Sequence, residues 1–205
     1  MDMHQIFHDL VHVLTHADKG FLFLTKELAL RPGLTVKAYV EGRRKRYFNP
    51  FSYLMLTIAV SAFLTSYFRL LETDVQHTNP VSAAITKHIN LIFLVGVPIT
   101  ALFTKLLFFK SRYNFAEHLS LQAFMGGFRA FFFILIFTPL VLLFRQYYFT
   151  VLTAYMMVWG AFLCWANIQF FGGNKLWVIV RTILTMMLTQ FVVTFFIILM
   201  VRMLR

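Results

Sequence analysis

GRRKRYFNPFSYLMLTIAVSAFLTSYFRLL, residues 42–71, decides the fold class. Four consecutive cations, Arg43, Arg44, Lys45 and Arg46, lead into two aromatic rings, Tyr47 and Phe48. Asn49-Pro50 then opens an apolar stretch that meets no charge before Arg69. A run of roughly 18 or more apolar residues is long enough to cross a hydrocarbon core as a helix. Proline suits the first turn of such a helix, because the N–H it lacks would have no partner there anyway. Aromatic rings sit well at headgroup level, and cations beside a first span hold that end of it in the cytoplasm.

Four more long apolar stretches follow, at about 89–109, 119 or 128 to 144, 148–171 and 176–203. Pro98 predicts a kink in the second, and the third contains Gly126-Gly127 and Pro139. The expected architecture is therefore an all-α polytopic membrane protein with about five transmembrane helices. A basic amphipathic cytoplasmic segment, 1–50, precedes a transmembrane domain, 51–205. The first span is expected to serve as an uncleaved insertion signal, since the first 15 residues lack a continuous apolar core.

Composition supports this reading. Of 205 residues, 60% are hydrophobic, 26 are Phe and only 13% are charged, too few to cover a soluble domain of that apolarity. The net charge of +11 comes from cations that flank membrane segments, so nucleic acid is not the expected partner. Five spans with a cytoplasmic N-terminus put thirteen of the nineteen Lys and Arg on the cytoplasmic side. Five, Arg69, Lys87, Arg145, Arg202 and Arg205, lie opposite, and Arg129 falls within or near the third span. That asymmetry predicts an N-in, C-out protein. A four-span alternative would return the C-terminus to the cytoplasm by laying the third run, or the run from Trp177 to Met203, in the interface.

The segment before the spans carries helical patterning. Ile6, Leu10, Val13, Leu14 and Ala17 share one side of a helix, while His4, His8, His12 and His16 recur every fourth residue. Two further short helices are expected, at about 21–30 and 34–41, separated by Arg31-Pro32-Gly33, with Gly33 allowing the turn and Gly42 closing the second.

Candidate chemistry is sparse. No Asp or Glu falls in the middle of a span, which argues against a proton- or cation-coupled transporter. There is no HExxH, Walker loop or G-x-S-x-G, and the one cysteine, Cys164, excludes an intrachain disulfide and a cysteine zinc site. Arg129 and Arg181 are cations near or within spans; each either snorkels to cytoplasmic headgroups or meets a lipid phosphate, an anion or helix C-terminal carbonyls. The pairs His8/His12 and His12/His16, with Asp9 nearby, have the i, i+4 spacing of metal ligands. A third ligand is lacking, so the expected role is a surface or subunit contact, with no metal and no cofactor. Arg43 to Arg46 are expected to set topology and touch anionic lipid, with docking of a cytoplasmic protein on the N-terminal segment a further option.

A resemblance appears at these residues. Phe7-His8-Asp9, His12, His16, Asp18-Lys19-Gly20-Phe21-Leu22, Thr25, Lys26-Glu27-Leu28, Arg31-Pro32-Gly33, Tyr39, Gly42, Arg44, Tyr47 and Asn49-Pro50-Phe51-Ser52-Tyr53-Leu54 resemble an uncharacterised bacterial membrane family, domain of unknown function 3667. Tyr113-Asn114-Phe115-Ala116-Glu117-His118-Leu119 is similar to that family as well, which makes Glu117 and His118 candidate functional residues. The resemblance implies a bacterial inner-membrane protein and brings no established activity. Family members often begin with a Cys-rich zinc ribbon, which this sequence lacks.

The leading expectation is a non-enzymatic membrane module that self-associates, with pore or channel formation as one option. By analogy of size and class it would serve as an accessory or effector in a bacterial stress or immune system, CRISPR-associated or otherwise antiphage. A lipid- or anion-handling transporter is the alternative, and a membrane enzyme with a His/Asp metal site the second.

Overall fold

The computed structural model describes residues 20–68, 70 and 80–203. The His row and Asp9 lie outside them. The described residues are helical without strands. Helix α1 covers 20–30, α2 Pro32–Val40, α3 Pro50–Tyr67 and α4 Pro80–Leu107. Then come α5 (Phe115–Phe132), a π turn (Phe133–Phe137), α6 (Thr138–Leu143), α7 (Tyr148–Phe171) and α8 (Lys175–Met203). Short 3-10 turns at Arg44–Arg46 and Arg145–Tyr147 precede α3 and α7.

Among the described residues, four helical segments are long and apolar enough to cross a membrane: Arg44–Tyr67, Phe115–Leu143, Arg145–Phe171 and Lys175–Leu199. The expected second span falls on α4, a continuous helix of 28 residues. The third run and the last run are thus both of spanning length.

Local chemistry accounts for the boundaries. The Asn49 side chain accepts from the N–H groups of Phe51 (2.9 Å) and Ser52 (3.3 Å), capping α3 ahead of Pro50. Asn114 and Glu117 form a reciprocal capping box that starts α5. The π turn sits just before Pro139, which has no N–H for the carbonyl four residues back and would clash with it. The Thr138 hydroxyl supplies a donor to Phe133 O at 3.2 Å. Helix α4 continues through Pro98.

Gly127 seats α3 on α5. A Cβ there would lie 2.5 Å from the Tyr53 ring, and one on Gly126 would lie 3.1 Å from Leu54 and 3.2 Å from Val97. These glycines therefore serve packing within one chain. Leu70 clusters with Phe137 and Val141, so α3 runs parallel to α5 and α6. Matching Tyr53 to Gly127 puts the start of α3 about 14 Å along α5, at a rise of 1.5 Å per residue.

That offset shapes the protein. Helix α3, 18 residues, is about 27 Å long, close to one hydrocarbon core, whereas α8, 29 residues, reaches about 44 Å. The ends of α4 and α7 and the starts of α5 and α8 extend past α3 and pack through Phe108 on Phe171, Tyr113 on Phe170 and Arg181 on Phe108. Helices α1 and α2 fill the space this leaves. Leu24, Leu28 and Val36 are fully buried there in one cluster with Tyr53, Phe124, Ala166 and Phe170.

Gly33 is part of that docking. It lies inside α2, not in a turn as expected, and the break falls at Arg31 alone. A Cβ on Gly33 would strike Ala166 O and lie 2.7 Å from Phe170 N. The Gln169 side chain accepts from the Gly33 and Leu34 N–H groups at 3.0 and 3.3 Å, so a residue of α7 caps α2.

Candidate functional site

Helix α1 presents one face, Leu22, Thr25, Lys26 and Ala29, to an apolar groove. The spacing i, i+3, i+4, i+7 is a single stripe of a helix. Helix α5 and its π turn supply a stripe of the same kind, Phe128, Phe131, Phe132 and Leu135, with Ile136 beside it. Val158, Trp159 and Phe162 of α7 complete the wall. The cavity measures about 520 Å³, within the roughly 300–1,000 Å³ typical of small-ligand sites.

Polar atoms are few in it. Thr25 is spent: its hydroxyl donates to Phe21 O at 2.9 Å and shares a 3.1 Å hydrogen bond with the Tyr53 hydroxyl. Trp159 contributes an indole N–H. Lys26 is exposed and is the one cation among the described residues of the wall. Its neighbour Glu27 is buried and bound by Arg31 through two nitrogens at 2.9 and 2.6 Å, so this carboxylate does not neutralise Lys26. The other described carboxylates are engaged too: Glu41 with Arg112, and Glu117 with the Asn114 N–H. The Tyr113 side chain, and then Glu41, hold the Arg112 proton more firmly than usual. An apolar slot with a single cation suits a chain-like apolar ligand with an anionic head.

The basic run reaches α1 through one of its residues. Arg43, Arg44, Lys45 and Arg46 are all exposed, and the Arg46 guanidinium lies 5.1 Å from the centroid of the Phe23 ring of α1. Phe23 stacks in turn on Tyr47 at 6.0 Å.

The remaining sequence candidates fall apart from it. Arg129 is half-buried between Phe93 (5.1 Å), Trp159 (6.0 Å) and Met156 Sδ (3.6 Å), so rings and sulfur take up its charge. Arg129 does not line the groove, whereas Trp159 does, beside Phe128 and Phe162. Arg181 lies over Phe108, just beyond the end of α4, where helix carbonyls favour a cation. Glu117 is the capping acid of α5. His118 is fully buried, its ring 5.4 Å from Phe171, with Nε2 3.3 Å from Ser111 Oγ and Nδ1 without a hydrogen-bond partner. No three metal-ligating side chains come together among the described residues.

Sequence reasoning missed Lys26 and the α1 stripe as a site. The signal was present, since Leu22, Thr25, Lys26 and Ala29 share a helix face, but nothing in the sequence identifies what that face meets. The polar pairs Gln122–Thr104 and Asn167–Thr182, both 3.0 Å, also join helices inside apolar runs.

Residues 18–62 match the family described as "Protein of unknown function (DUF3667)", and the resemblance read from the sequence holds over that stretch. The match covers α1, α2 and most of α3, and so includes the α1 wall of the groove, the Gly33 contact and the Arg46–Phe23 stack. No curated protein and no solved structure matches this chain.

Proposed function

We propose that this protein is a non-enzymatic membrane module that holds a membrane lipid in the groove between α1, α5 and α7, with an acyl chain against the Phe-rich wall and an anionic headgroup at Lys26. The single observation that carries this reading is the groove's chemistry: about 520 Å³, almost entirely apolar, with one exposed cation among the described residues of its wall. Lipid is the apolar molecule at hand beside four helices of spanning length. The basic run and the thirteen-to-five cation count support a bacterial cytoplasmic membrane location with the N-terminus inside.

A second reading is an anion path through Arg129, in a self-associated form. It draws support from a half-buried guanidinium that meets no carboxylate among the described residues.

The test of the first reading is retained lipid. Native mass spectrometry of the detergent-purified chain should find about one phospholipid bound after delipidation. Ala29→Trp places an indole in the groove from an exposed α1 position and should release it. Lipid retention equal in the variant and the parent would overturn the proposal.

A further inference from the structure

We infer that the headgroup held at this groove carries two phosphates, one taken by Lys26 and the other by Arg46. The inference rests on the groove reading above and adds the headgroup's chemistry.

Phe23 and Lys26 are three positions apart on α1, neighbours on the helix surface at roughly 5–6 Å between Cβ atoms. The Arg46 guanidinium carbon lies over Phe23, 5.1 Å from its centroid, and 5.9 Å from that of Tyr47. Arg46 is thus carried over to α1, onto the ring three positions before Lys26. Neither side chain makes a hydrogen bond or ion pair with another described residue. A ring contact of this kind consumes no hydrogen bond of the guanidinium, whose N–H fork matches a phosphate in two-point geometry. Lys26 offers a compact point charge instead. A headgroup with one phosphate has a single anionic centre for two cations. Two phosphates joined by a short linker would satisfy both while the acyl chains follow the wall towards Leu135 and Ile136.

The ring contact also separates Arg46 from the rest of the run. Arg43, Arg44 and Lys45 are exposed, but no aromatic ring among the described residues holds them against α1. A general surface potential would weigh all four cations alike, whereas a built site weighs Arg46 above Lys45.

The experiment titrates delipidated full-length chain in detergent with phosphatidylcholine, phosphatidylglycerol and diphosphatidylglycerol, read by native mass spectrometry. Diphosphatidylglycerol should bind most tightly. Lys26→Gln and Arg46→Gln should each weaken it about five-fold, the scale of one cation near a phosphate surface, and Lys45→Gln should leave it nearly unchanged. Equal binding of the one- and two-phosphate lipids, both displaced by Ala29→Trp, would overturn the two-phosphate inference and leave the groove standing. An equal loss from Lys45→Gln and Arg46→Gln would overturn it as well, in favour of diffuse attraction. Binding that Ala29→Trp does not touch would overturn the groove reading itself.

Discussion

Gly33→Ala should destabilise the protein although alanine is the better helix former. The added methyl would strike Ala166 O and lie 2.6 Å from Gln169 Cβ and 2.7 Å from Phe170 N. Two of these three atoms belong to the backbone of α7, so no rotamer change relieves the clash. Helix α2 has to withdraw, at a cost of about 1–3 kcal/mol for overpacking. Withdrawal also stretches the 3.0 Å bond from Gly33 N–H to Gln169, which is worth about 1 kcal/mol. Helix propensity returns up to about 1 kcal/mol. The clash wins, and the net loss is about 2 kcal/mol, or a Tm about 4–8 °C lower for a chain of this size. Gly96→Ala is the matched control: it is also helical, and a Cβ there meets nothing within 4 Å. That variant should be unchanged or gain up to about 1 kcal/mol. Thermal unfolding in one detergent, followed by tryptophan fluorescence, compares the two. A Gly33→Ala protein that melts at or above Gly96→Ala would refute the seating of α2 on α7, and with it the position of α1 that forms the groove.

Two other outcomes are expected. Alkaline phosphatase fused after Arg205 should be active and a fluorescent protein at the same place dark, whereas the reverse pattern would put the C-terminus in the cytoplasm and favour an even span count. Arg129→Leu should leave anion flux into sealed liposomes and lipid retention both unchanged if the groove reading holds; a change in flux with the fold intact, judged by Tm, would favour the Arg129 path.

The sequence by itself determined the class and most helix ends. Runs such as 51–68 carry no charge, so membrane helices follow from length and polarity alone. Asn49-Pro50 marks the start of α3 because its cap is a bond to a residue two positions away. The break between α1 and α2 was legible at Pro32 for the same local reason. The purpose of Gly33, Gly126 and Gly127, and the groove, were decided only by tertiary structure. A glycine signals that something approaches closely, but Tyr53 is 74 positions from Gly127 and Gln169 is 136 from Gly33, and no local pattern encodes such partners. The candidate site divides in the same way. Charge density picked out Arg43 to Arg46 from sequence, whereas Arg46 differs from its neighbours only because α1 folds back to lay Phe23 beneath it. Lys26 looked like one cation among nineteen until the stripes of α5 and α7 gave its helix face an apolar wall to stand beside.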